Sequence, residues 1–147
     1  RKIEPHVSTT RERFEVLMRC KELGIPTLVW MTPILPFIND TRENIEGLLD
    51  YCLQAGVQGI LLFDVGVTLR DGDREFFYQA LDRDFPGIRQ KYVHTYGNAY
   101  DIPSPHAKEL MALIRNTCSA NSILCSPKEC FAYLNEFPKR YVQQTLF

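Results

Sequence analysis

Thr32, Asn39 and Asp40 lie close together in residues 32–40, and Asp64, Thr68 and Arg70 in residues 64–72. Hydroxyl, amide, carboxylate and guanidinium groups gathered in two short loops can orient a hydrogen-bonding or anionic ligand. The same residues can serve the chain alone, because Asn and Asp cap helices and an Asp such as Asp64 can bond loop amides. Cys118, Cys125 and Cys130 are separated by six and four residues, unlike the tight pairs of zinc sites or the close triplets of iron–sulfur sites. No metal site is expected from that spacing. Cys20 and Cys52 fall on apolar helical stripes and read as core thiols. His6, His94 and His106 are scattered, with neither HxH nor HExxH spacing. Tyr92, Tyr96 and Tyr100 recur every four residues, which reads as a packing stripe. No residue forms an evident acid, base or radical relay, so no catalytic side chain is assigned.

The composition sets the class of chain that must position these groups. The 147 residues are 45% hydrophobic and 24% charged, as in ordinary globular proteins. The net charge of −1 gives no electrostatic footprint for nucleic acid. No apolar run approaches the roughly 20 residues needed to cross a bilayer, so no membrane partner is expected. Arg1-Lys2-Ile3-Glu4-Pro5 has neither an initiator Met nor a signal core, and reads as the middle of a longer chain. Five cysteines, an odd number in an ordinary core composition, favour reduced thiols and a cytoplasmic location.

Thr9 with Glu12 has capping-box spacing and opens a helix through Phe14, Leu17 and Met18, which Gly24 closes. The apolar run from Pro26 to Thr32 fits a parallel strand buried on both faces. Pro33 and Pro36 keep the next residues in a loop. Asp40 and Glu43 then begin a helix with Ile45, Leu48, Leu49, Cys52 and Leu53 on its buried stripe, ended by Gly56. Residues 57–65 read as a second strand. Helices alternating with such strands indicate βα units and a parallel sheet, in which loops after the carboxyl ends of strands bind ligands.

Three further helices are expected: one from Asp71 or Asp73, one from Ser104-Pro105 and one from Ser126-Pro127-Lys128-Glu129. Ile88 to Tyr92 adds a helical turn or two. No third strand is expected, Ile123-Leu124-Cys125 being too short. Two strands do not make a sheet that stands alone. The chain therefore reads as α/β, a slice of a barrel or open sheet whose bare edge and apolar face favour self-association into a homo-oligomer.

Glu4-Pro5-His6-Val7-Ser8-Thr9-Thr10-Arg11-Glu12-Arg13 resembles the segment after the fourth strand of radical S-adenosylmethionine (radical SAM) proteins similar to spore photoproduct lyase, the DNA repair photolyase-like group. Gly24-Ile25-Pro26, Thr32-Pro33-Ile34-Leu35-Pro36 and Asn39-Asp40 resemble that group's fifth strand and the loop following it. Tyr96-Gly97-Asn98 and the last cysteines resemble a carboxyl-terminal extension found in a subset of the group. The resemblance implies the carboxyl-terminal part of a partial (β/α)6 TIM-like barrel over residues 1–95, followed by a helical extension over residues 96–147.

The full-length parent would then hold a 4Fe-4S cluster through a CxxxCxxC loop. It would bind S-adenosylmethionine and reductively cleave it to a 5′-deoxyadenosyl radical for hydrogen abstraction. By this resemblance Arg13 faces the methionine carboxylate, Thr32, Pro33 and Ile34 lie against adenosine, and Phe63 and Asp64 flank adenine. This sequence contains no CxxxCxxC, so the portion alone is expected to hold no cofactor and to be inactive. The substrate is unassigned. Two other readings remain at this point: a non-catalytic α/β domain for partner binding or assembly, and a piece of an ordinary (β/α) barrel hydrolase or aldolase. A CxxxCxxC triplet roughly 90–120 residues before Glu4 would favour the radical SAM reading, each βα unit taking about 30 residues.

Overall fold

The structure, a computed structural model, describes Ile3 and residues 6–136. Glu4 and Pro5, which open the resemblance, and residues 137–147 of the extension lie outside the described residues. The chain begins with α1, Thr10–Glu22, and its capping box forms as expected: Thr9 accepts from Glu12 N while the Glu12 carboxylate accepts from Thr9 N. Phe14, Leu17 and Met18 turn one side of α1 onto the core. Gly24, at φ 66°, lets the chain leave α1 in the left-handed region. β1, Leu28–Trp30, follows.

α2, Arg42–Ala55, is capped by Thr41 rather than by Asp40. Asp40 is instead buried, its Oδ2 accepting from Ser104 Oγ. A carboxylate so placed needs the hydroxyl, since a buried charge without a partner is costly. β2, Gly59–Leu61, runs parallel to β1, with Leu28 opposite Gly59 and Trp30 opposite Leu61. On the far side of β2, Leu124 adds a parallel one-residue bridge: it donates to Gln58 O and accepts from Ile60 N. Short as it is, the segment Ile123-Leu124-Cys125 thus supplies a third sheet position.

The expected strand over 57–65 stops at Leu61. Phe63 and Asp64 are exposed, Asp64 Oδ1 accepts from Val65 N, and the chain turns into β3, Gly66–Thr68. β3 pairs antiparallel with β4, Asp101–Pro103, a pairing that the sequence does not predict. Between them lie α3, Asp73–Asp84, and α4, Ile88–Tyr96, the latter longer than the one or two turns expected. α5, Ala107–Ala120, and α6, Pro127–Asn135, complete the described chain, and α6 carries the expected Ser126/Glu129 capping box.

Side chains alternate across the short parallel sheet. Met31, Ile60 and Leu62 are buried in one core with Ile45, Leu49 and Cys52 of α2 and Leu110, Ile114 and Cys118 of α5. The opposite face is only partly covered. Leu28 and Leu61 share a small cavity with Tyr133 and Leu134 of α6, but Trp30 is 58% and Phe63 62% exposed. Burial on both faces, as the unbroken apolar runs suggested, therefore holds on one face; on the other, nothing among the described residues covers the aromatic pair. A second core gathers Leu69, Phe77, Tyr78, Leu81, Tyr92 and Ile102 around the β3–β4 pair.

Gly66 shows how closely those two strands approach. A Cβ at this position would stand 2.5 Å from the Ile102 carbonyl oxygen and 2.9 Å from Pro103 Cα, both backbone atoms. Gly66→Ala is expected to cost about 2–3 kcal/mol by forcing the two strands apart, read as a lowered denaturant midpoint at unchanged slope.

Candidate functional site

The loop after β1 is held from several directions. Asn39 Oδ1 accepts from Leu35 N, and Asn44 Nδ2 donates to Asn39 O at 2.8 Å. Ile34 N donates to Gly66 O, tying the loop to β3. Tyr92, completely buried on α4, donates its hydroxyl to Pro36 O at 2.8 Å. Phe37, at φ 63°, is clasped by the rings of Tyr92 and Tyr96. Asp40 closes the segment through Ser104. Residues 32–40 are thus fixed by groups up to 64 residues away in sequence.

This loop and the first turns of α1 enclose a cavity of about 210 Å³, bordered by Arg13, Thr32, Pro33 and Ile34 together with Thr10, Asn39 and Tyr51. A wider cleft of about 910 Å³ adjoins it, sharing Thr10, Arg13, Thr32, Pro33 and Asn39 and extending along Thr68, Phe76 and Phe85. Both open beyond the carboxyl end of β1, where α/β sheets receive ligands. Arg13 is exposed and has no acidic partner within ion-pair distance among the described residues. The surface ion pairs of α1 use other arginines, Arg11 with Glu15 and Arg19 with Glu22. An unpaired guanidinium among two threonine hydroxyls and an amide suits an anionic oxygen pair, which its planar fork can grip with two bonds.

Four of the six expected binding residues, Arg13, Thr32, Pro33 and Ile34, therefore meet around one cavity. Phe63 and Asp64 border neither space. Phe63 approaches through Trp30, which borders the smaller cavity and lies 6.2 Å from it, ring centre to ring centre. Asp64 bonds its neighbour's amide, the local role open to it from sequence. Arg70 reaches the Tyr100 hydroxyl at 3.4 Å. Sequence reasoning missed Arg74, which donates to Leu69 O, Gly97 O, Asn98 O and Ala99 O and so pins the turn before β4. It also missed Ser104 as the partner of Asp40.

Cys52 borders the smaller cavity, and burial pushes its thiol up to about 11. No group of three or more metal-ligating side chains assembles among the described residues. No helix among them is long and apolar enough to cross a membrane.

No family profile and no solved structure matches the chain. It is 27% identical over 111 residues to an uncharacterized protein of Mycobacterium bovis and, to the same extent, to two uncharacterized proteins of Mycobacterium tuberculosis. Each match covers 76% of this chain and 32% of the relative. The chain thus spans about a third of the length of the curated relatives it matches.

Proposed function

We propose that this chain is the carboxyl-terminal portion of a cytoplasmic radical SAM enzyme of the spore photoproduct lyase-like group, contributing one wall of the S-adenosylmethionine site and the end of a partial (β/α)6 barrel. The observation that supports this reading most is the convergence of Arg13, Thr32, Pro33 and Ile34 on one cavity beyond the carboxyl end of β1. Those residues come from two separate stretches of the resemblance, and they offer what the cofactor's amino-acid end requires. The Arg13 fork would take the carboxylate, the Thr10 and Thr32 hydroxyls and the Asn39 amide would take remaining polar atoms, and Pro33 and Ile34 would lie against the apolar edge of adenosine.

The residues present fit S-adenosylmethionine but not a 4Fe-4S cluster. Cluster iron is held by several thiolates, and a single cysteine, Cys52, borders the cavity. In this reading the cluster ligands belong to the rest of the parent protein, and no step is assigned to them here. When both groups are bound they supply hydrogen-abstraction chemistry; this chain's part is to fix the cofactor's orientation and exclude water from its side of the site. The test is electron paramagnetic resonance of the full-length protein after anaerobic reconstitution. A reduced cluster signal that changes on adding S-adenosylmethionine is expected, and a parent without a cluster signal would refute the assignment.

A second reading, a non-catalytic domain that binds a partner or assembles, draws support from exposed Trp30 and Phe63 and from the edge of β1, which has no strand partner among the described residues. In the first reading the remainder of the barrel covers them. Light scattering on the full-length protein separates the two: assembly through this face predicts an oligomer that Trp30→Asp dissociates, and a monomer favours the barrel.

A further inference from the structure

We infer that the wide cleft beside the Arg13 cavity binds a small apolar amine in its ammonium form, which is the substrate if the proposed function, on which that last step rests, is right. The cleft has a volume of about 910 Å³, within the roughly 300–1,000 Å³ of ligand pockets. Arg13, Thr32, Pro33 and Asn39 border both the cleft and the smaller cavity. A molecule in the one therefore lies directly against a molecule in the other.

The walls decide what the cleft takes. Three phenylalanines border it: Phe77 from the second core, Phe85 just past α3, and Phe76, which is 61% exposed. An open ring on a concave wall offers apolar contact and a π face that attracts cations. Two charged side chains border the cleft, Arg13 at the shared end and Asp73 on α3. Asp73 stands three residues before Phe76 and four before Phe77, so the acid and both rings share one side of α3.

The ordinary duties of an acid at a helix start fall to other groups. Glu75, not Asp73, accepts from Gly72 N. Arg70 turns its guanidinium to the Tyr100 hydroxyl, and Asp73 adds only the smallest influence on it. Arg74 is engaged with the carbonyls of Leu69, Gly97, Asn98 and Ala99. The Asp73 carboxylate is thus open to a ligand cation whose apolar body rests on Phe76. The same walls disfavour nucleic acid. Phosphate chains are gripped by several Lys or Arg side chains, and among the described residues Arg13 alone of these borders the cleft.

The test is equilibrium dialysis of the full-length protein at low salt against 2-phenylethylamine, 3-phenylpropanoate and a single-stranded oligothymidylate. Near neutral pH the first two carry similar rings and chains but opposite charge. The amine should bind in preference to both anions. Asp73→Asn should weaken the amine about two- to fivefold, the size of an exposed ion pair. Phe76→Ala should weaken it by about the same factor, that of an exposed cation–π contact. Asp73→Lys should turn the preference toward phenylpropanoate. Both positions are exposed, and circular dichroism matching wild type establishes that each variant is folded.

No binding of the amine, equal binding of the two ring probes, tighter binding of the oligothymidylate, or a preference that Asp73→Asn leaves unchanged would each overturn the site. None of these measurements needs a cluster or S-adenosylmethionine. A parent without a cluster signal whose amine preference depends on Asp73 keeps this site and loses the proposed function. A parent with the cluster signal and no such preference does the reverse.

Discussion

Replacing Arg13 by alanine in the full-length protein is expected to weaken S-adenosylmethionine binding about tenfold to a hundredfold. A hydrogen bond to a charged group contributes about 1.5–3 kcal/mol, and each 1.4 kcal/mol is about a factor of ten in affinity. Arg13 earns this expectation by position: it borders both adjoining cavities and has no acidic partner among the described residues. Arg13→Lys should fall between, keeping the charge but losing the planar fork. 5′-Methylthioadenosine, which lacks the carboxylate, should bind Arg13→Ala and wild type alike. Isothermal titration with both ligands checks the claim. Equal losses for the two would place Arg13 in a structural role and remove the carboxylate from its vicinity.

The largest stability loss is expected at Tyr92. Its side chain is completely buried, meets the rings of Phe37, Phe77, Tyr78 and Tyr96, and donates its hydroxyl to the Pro36 carbonyl. Tyr92→Ala should cost about 3–5 kcal/mol, as removal of a large buried aromatic does, out of a total of roughly 5–15 kcal/mol for a domain. Tyr92→Phe keeps the rings packed and loses only the hydroxyl bond, for about 1 kcal/mol.

A pH signature separates the two effects. Burial pushes the Tyr92 hydroxyl well above the usual tyrosine range, with Tyr96, Asp40 and Tyr78 adding to it. The folded state thus holds this proton more tightly than the unfolded chain, whose tyrosines titrate near pH 10. The stability it confers is complete below about pH 10 and declines as pH rises further. Tyr92→Phe should flatten that alkaline decline, measured by urea denaturation across the range. A decline unchanged in Tyr92→Phe would assign it to other groups.

These two residues also show what the sequence could and could not disclose. Local signals read true where they are self-contained: the Thr9/Glu12 and Ser126/Glu129 boxes and the Gly56 terminus depend on residues within one turn of each other, and all three form. The adjacency of the two apolar runs was legible because a parallel pair separated by a helix is the common solution for such runs. Where the second run ends was not. Ile60 to Val65 is apolar except for Asp64, and only the bond from Val65 N to that carboxylate marks the turn.

The β3–β4 pair escaped notice because each strand has three residues, one contains a proline, and the partners lie more than 30 residues apart. The recurrence of Tyr92, Tyr96 and Tyr100 reads as a packing stripe; Tyr92 and Tyr96 do pack, whereas Tyr100 is 50% exposed and meets Arg70 instead. Their four-residue spacing, however, carries no information about Pro36 or Phe37, which reach them from another part of the chain. Arg13 is the sharper case. Helical periodicity puts it on the polar side of α1, where a solvated charge and a ligand-facing one look identical in sequence. The approach of residues 32–40, braced by Asn39, Asp40 and Tyr92, is what sets a cavity beside it.

The chemistry of the parent protein is the most direct test of the proposed function. Purified anaerobically, reconstituted with iron and sulfide and given a one-electron reductant, the full-length protein should convert S-adenosylmethionine to 5′-deoxyadenosine, detected by chromatography and mass. The 147-residue chain treated identically should produce none. A full-length protein loaded with its cluster that leaves S-adenosylmethionine intact would contradict the proposal.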